Sequence, residues 1–111
     1  MNHPEELVKA FLRAYEQKDL ESISDMVSHD VLLRDWNLEV SGKESLVREF
    51  GNNFASQPEI AIRVLRTFSS DHGIAAEIEI ALGNEQILRV VDILGFDKDL
   101  KINSIISYRG L

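Results

Sequence analysis

Asp92 is the residue of this sequence whose surroundings suit it least. It shares an alternating register with Leu88, Val90, Leu94 and Phe96, and its chain neighbours Val91 and Ile93 are apolar too, which predicts a strand buried on both faces. An ionised carboxylate there is costly unless it is paired, hydrogen-bonded or protonated. A second case lies upstream, where Val31, Leu33 and Asp35 fall on one face and Leu32, Arg34 and Trp36 on the other. Two carboxylates looking into an apolar interior can divide the work of proton transfer, one ionised as base and the other protonated as donor. The same residues also admit a structural reading. In it Asp92 pairs with Arg63 or Arg66 on a neighbouring strand, and Asp35 begins a polar turn through Asn37.

Other chemistries are less well supported. The absence of cysteine excludes disulfides, thiol nucleophiles and thiolate metal sites. His3 lies near the N-terminus and His29 and His72 in predicted loops, without metal-ligand spacing, so neither a metal nor a cofactor is expected. Asp97-Lys98-Asp99 starts like a calcium loop but lacks the rest of the pattern and reads as a hairpin turn. Gly42-Lys43 lacks the glycines of a phosphate loop and reads as a helix entrance. Glu77 and Glu79 alternate with Ile78 and Ile80 as an acidic solvent-facing stripe. Phe11, Tyr15, Trp36, Phe50 and Phe54 have spacings that serve either a core or the wall of a pocket for a flat apolar ligand, Trp36 most directly as the neighbour of Asp35. With 12 Lys and Arg against 19 Asp and Glu, the net charge of −7 disfavours nucleic acid and anionic membranes as partners. The opening nine residues are acidic and broken by Pro4, unlike a signal peptide, and no apolar run approaches the roughly 18 residues of a membrane span. A cytoplasmic protein is expected.

The elements that must position these side chains follow from periodicity. At 111 residues, 44% hydrophobic and 28% charged, the chain predicts one globular domain over 1–111. Pro4, Glu5 and Glu6 open a helix over about 4–17 with Leu7, Val8, Phe11, Leu12 and Tyr15 on one side. Asp19 caps a second helix that carries Leu20, Ile23, Met26 and Val27 and ends before Ser28. A strand over Val31–Trp36 follows. Ser41 to Glu44 has capping-box spacing ahead of a third helix starting near Lys43, with Leu46, Val47, Phe50 and Phe54. Beyond Pro58, the segments Ile60–Phe68, Ile74–Leu82, Gln86–Phe96 and Leu100–Tyr108 alternate as four strands joined by short polar links that suit antiparallel hairpins. Helices first and sheet second predict an α+β fold, a curved antiparallel sheet around a helical layer.

The residues running from Phe11 to Leu20, His29-Asp30-Val31, Gly42 to Leu46 with Arg48-Glu49-Phe50, Val91 to Asp97 with Leu100-Lys101-Ile102, and Ser104 to Gly110 together resemble the nuclear transport factor 2-like superfamily, of SnoaL-like and ketosteroid isomerase-like proteins. The resemblance covers nearly the whole chain. It implies a cone-shaped α+β fold whose N-terminal helix hairpin, third helix and curved sheet enclose an apolar pocket, often with a homodimer through the outer sheet face. Ketosteroid isomerases place a general-base aspartate just after the first strand, where Asp35 stands, and a protonated aspartate on a late strand, where Asp92 stands. Their helix-1 oxyanion-hole tyrosine corresponds to Phe11 here, a departure that costs such an enzyme on the order of 100-fold unless another hydroxyl replaces it. Tyr15, one turn along the same helix face, is the candidate. The resemblance thus implies a cofactor-free isomerase or cyclase acting next to a carbonyl of a small apolar or aromatic molecule, with Asp35, Asp92 and Tyr15 catalytic and Phe11, Trp36, Phe50 and Phe54 lining the pocket. The alternative is a non-catalytic ligand-binding or homodimeric interaction module. An epoxide-hydrolase chemistry using an Asp-Arg-Asp set is disfavoured because Arg89, three residues before Asp92, falls on the opposite strand face.

Overall fold

A computed structural model describes residues 3–83 and 85–110, so the start of the predicted opening segment and Asn84 of the second predicted hairpin link lie outside the described residues. Three helices precede most of the sheet: α1 (Pro4–Glu16), α2 (Leu20–Met26) and, after β1 (Val27–Arg34) and β2 (Glu39–Ser41), α3 (Lys43–Ser56). Four longer strands follow: β3 (Ile60–Ser70), β4 (Gly73–Leu82), β5 (Ile87–Phe96) and β6 (Ile102–Arg109). Pro4 occupies the first turn of α1 beside Glu5 and Glu6, where a missing N–H is harmless and negative charge meets the positive helix end. The helix stops where Lys18 turns left-handed at φ 58°. Asp19 then caps α2 by accepting the Ser22 N–H at 3.1 Å.

The sheet runs in the order β2-β1-β6-β5-β4-β3. Every pairing is antiparallel except one, for β1 lies parallel to β6. This corrects the expectation of a wholly antiparallel sheet: β1 reaches the sheet through the helices and not through a hairpin, so nothing fixes it antiparallel to its neighbour. One boundary and one helix cap also differ. β1 begins at Val27, four residues before the expected Val31, with a register shift between Val27 and Leu32 that accommodates the polar His29 and Asp30. His29 therefore lies in a strand. The expected capping box is also absent, because Gly42 at φ 95° is the N-cap of α3 and no side chain caps it.

One continuous apolar core joins the helices to the concave sheet face through Val8, Phe11, Ile23, Leu46, Phe50, Ile78, Leu94 and Ile105. Gly73, at φ 145°, brings the β3–β4 turn against β5, where a Cβ would collide with the Leu94 carbonyl oxygen. The convex face differs from expectation. Ile87 is 63% and Ile93 40% exposed, so β5 is buried on one face only. Glu77 and Glu79 are likewise no free acidic stripe: Arg66 pairs with Glu77 at 2.6 Å, and Glu79 lies between Arg63 at 2.7 Å and Arg89 at 2.8 Å.

Candidate functional site

The inner face of β5 carries Asp92 into the core between Val90 and Leu94, as the alternation predicts, and leaves it only 8% exposed. Its strand partners are Ala76 on β4 and Ser107 on β6, and the Ser107 hydroxyl donates to Oδ1 at 2.6 Å. Among the described residues no arginine reaches it. Arg63 and Arg66 project from the opposite sheet face toward Glu79 and Glu77, which overturns the ion-pair reading of Asp92. Without a counter-ion, burial pushes the Asp92 carboxyl up to about 6, the Asp35 charge adds to the rise, and the Ser107 hydrogen bond opposes it.

Asp35 follows the last residue of β1 and is half-buried. Its Oδ1 accepts the Asn37 N–H at 2.7 Å and the Leu38 N–H at 2.9 Å, while its own N–H donates to the Leu38 carbonyl at 2.9 Å. The polar turn foreseen as an alternative is therefore real, and it fixes the carboxylate's orientation. Among the described residues Oδ2 accepts no hydrogen bond. The turn and the proton-transfer roles are compatible, because Asp35 also lines the cavity that Asp92 faces.

That cavity has a volume of about 290 Å³ and lies between the helices and the concave sheet. Tyr15, Asn53, Asp35, Asp92 and Ser107 supply polar groups, and Ile62, Ile78, Ile80, Leu82 and Leu88 supply much of the apolar wall. The exposed Trp36 and Asn37 place its mouth at the turn after β1. Burial holds the Tyr15 hydroxyl above its ordinary pKa, with the nearby negative charges of Asp92, Asp35 and Glu49 adding to the rise and the Asn53 hydrogen bond opposing it. It therefore stays protonated near neutrality. The Asn53 amide donates to the Tyr15 oxygen at 3.2 Å, which leaves the phenolic proton free to be donated elsewhere.

The structure brings the three expected catalytic residues, Asp35, Asp92 and Tyr15, to one cavity, together with Phe11, Trp36 and Phe50. Phe54 does not line it. Its ring packs edge-on against Tyr15 at 4.7 Å, and Phe50 does the same at 5.0 Å, so Phe54 holds Tyr15 in place instead of touching the cavity. Such aromatic pairs are worth about 0.5–1.5 kcal/mol beyond the area they bury. Asn53 and Ser107 were not singled out from sequence. Both carry the signal that marked Asp92, a polar residue in an apolar register: Asn53 lies seven residues after Leu46 on α3, and Ser107 two after Ile105 on β6.

No three His, Asp or Glu residues converge as a metal site among the described residues, and no described helix is long and apolar enough to cross a membrane.

The family model described as a SnoaL-like domain matches residues 8–105. No curated protein matches the chain. Among solved structures, an NTF2-like protein of unknown function from Cytophaga hutchinsonii has a TM-score of 0.83 at 13% identity, over 99% of this chain and 92% of that one. The epoxide hydrolase/cyclase-like enzyme SalBIII, described in pyran ring formation in polyether salinomycin, gives 0.83 at 16% identity, over 97% and 91%. A computationally designed 17-OHP binder gives 0.82 at 18% identity, over 95% and 91%. At these identities the likeness is one of fold.

Proposed function

Because the chain belongs to the SnoaL-like domain family, we propose that its cavity takes a small apolar carbonyl compound and moves a proton next to the carbonyl, as an isomerase or cyclase does. Asp35 removes the proton from the carbon beside the carbonyl, and the electron pair of that C–H bond passes to the carbonyl oxygen. Protonated Asp92 and the Tyr15 hydroxyl donate to the oxyanion as it forms, and return of the proton to carbon completes the cycle. The observation that carries this reading is the contrast between the two carboxyls in one cavity: Asp92 is buried and uncompensated, with its pKa pushed up to about 6, and Asp35 is half-buried and held by two backbone N–H groups. Phe11 provides no hydroxyl, so Tyr15, oriented by Asn53, stands in that place.

The test is deuterium exchange at the carbon next to the carbonyl of a cyclic ketone, followed by NMR in heavy water. The protein accelerates exchange, the acceleration falls as pH rises through about 6 where Asp92 loses its proton, and Asp35→Asn lowers it about 10²–10⁴-fold while the fold persists by circular dichroism. Exchange no faster than in buffer, or an Asp35→Asn variant as fast as the parent, refutes the reading.

One observation favours a second role. On the convex face Phe68, Ala75, Ile93 and Ile106 form one cross-strand row beside Val91 and Tyr108, and Phe68, Ile93 and Tyr108 are exposed. A homodimer packed through this face covers the row, whether or not the cavity is catalytic. Light scattering then gives twice the 12.6 kDa chain mass and Ile93→Lys halves it; a monomeric parent protein refutes the dimer.

A further inference from the structure

The wall of the cavity carries charge of one sign. Among the described residues that line it, Asp35 and Asp92 are acidic and none is Lys, Arg or His. The Arg109 guanidinium lies 5.9 Å from the Trp36 ring centroid at the mouth, exposed and outside the wall. An anionic ligand at the polar end meets two carboxyls and no counter-ion, in a setting that screens charge weakly.

The polar end also has a definite hydrogen-bonding character. Ser107 spends its hydroxyl proton on Asp92, and the Asn53 amide donates to the Tyr15 oxygen. The phenolic proton of Tyr15, with the carboxyl proton of Asp92 when it is present, remains for a ligand, which must therefore offer an acceptor there. Size sets the last limit. A closed apolar cavity of about 150 Å³ holds benzene, and this one is close to twice that at about 290 Å³.

We propose that the occupant is an uncharged carbonyl compound of one or two rings, and that carboxylates and phosphate esters are turned away. This rests on reading the cavity as a ligand site and does not require turnover.

Trp36 is the chain's single tryptophan and stands in the cavity wall, so its indole N–H resonance reports occupancy in the intact protein without assignment of the remainder. The probes are 1-tetralone, tetralin-2-carboxamide, the nearly isosteric tetralin-2-carboxylate, and a four-ring steroid ketone. At about pH 7.5 the ketone and the amide bind, the carboxylate binds at least 10-fold more weakly than the amide, and the steroid binds more weakly than tetralone. A carboxylate less than 10-fold weaker than the amide, a steroid that binds as well as tetralone, or no response to either uncharged two-ring probe overturns the proposal. Deuterium exchange of tetralone, read in parallel samples at about pH 5 where Asp92 keeps its proton, separates this inference from the catalytic one. A ketone that binds without exchanging leaves the size and charge limits standing and removes the enzyme.

Discussion

Asp92→Asn should make the protein more stable and less active, and the gain should grow as pH rises from about 4 to above about 6. Asparagine has the shape of the protonated acid and keeps an oxygen to accept from Ser107. In the parent the folded pKa is raised from 3.8 to about 6. A carboxyl raised in this way gives its full stability below the unfolded pKa, and that contribution is lost as pH rises from about 4 through about 6. The whole loss is about 3 kcal/mol at roughly 1.4 kcal/mol per pKa unit, and about 2 kcal/mol of it falls between pH 4.5 and pH 8. Urea unfolding of both proteins at these two pH values gives the quantity, because the titrating groups that do not interact with Asp92 cancel in the difference. Asp92→Asn is expected to gain about 2 kcal/mol relative to the parent on going from pH 4.5 to pH 8, with proton exchange lowered, because the amide N–H is a weaker donor than the acid, and without the parent's fall above about pH 6. An advantage that is the same at both pH values means that Asp92 does not titrate in an uncompensated site, and the acid-donor role falls with it.

Two other substitutions test neighbouring parts of the site. Ser107→Ala removes the hydrogen bond that opposes the rise at Asp92, so carboxyl carbon NMR should find the Asp92 pKa higher than in the parent, with the alkaline fall in exchange displaced the same way; an unchanged or lower value refutes the assignment. Lys18, whose ammonium donates to the carbonyls of Phe54, Gln57 and Pro58 at 3.0, 2.6 and 3.1 Å, ties down the end of α3 that carries Asn53. Lys18→Met should cost about 1–3 kcal/mol in urea unfolding and should weaken tetralone binding, and a cost under about 0.5 kcal/mol refutes that role.

The parts of the site that were legible in the sequence are those governed by local period. Alternation alone put Asp92 with Val90 and Leu94 and put Asp35 with Leu33, and the structure keeps both alignments. Alternation could not say which apolar face meets protein. Val91 and Ile93 look as buried in sequence as Val90 and Leu94, yet they face outward, because an apolar residue on a surface carries no local mark. The partners of Arg63 and Arg66 were illegible for a different reason. Cross-strand register places them opposite Glu79 and Glu77, and register is set by the β3–β4 hairpin and its irregularity between Val64 and Arg66, not by the arginines themselves. The parallel seam of β1 with β6 joins Val27 to Ile102 across most of the chain, beyond the reach of any local pattern. The aromatic spacing on α1 and α3 offered Phe11, Phe50 and Phe54 alike as cavity wall, and only Phe11 and Phe50 line it, since two residues one turn apart share a helix face while only one touches the opening.

The two ends of the sheet bear on how the molecule avoids sticking to its own kind in a crowded solution. A strand at a sheet margin offers unsatisfied amides to any extended chain that passes, and β3, with eleven residues, offers the longer margin. The first helix guards it: Glu16 accepts the Ile62 N–H at 2.7 Å, and Glu5 accepts the Thr67 hydroxyl at 3.0 Å, which pins the helix along the strand. The opposite margin, β2, is three residues long and too short to template growth. Open-ended strand addition is hindered at both margins, and carboxylates that do no chemistry in the cavity thereby help to guard the fold against aggregation.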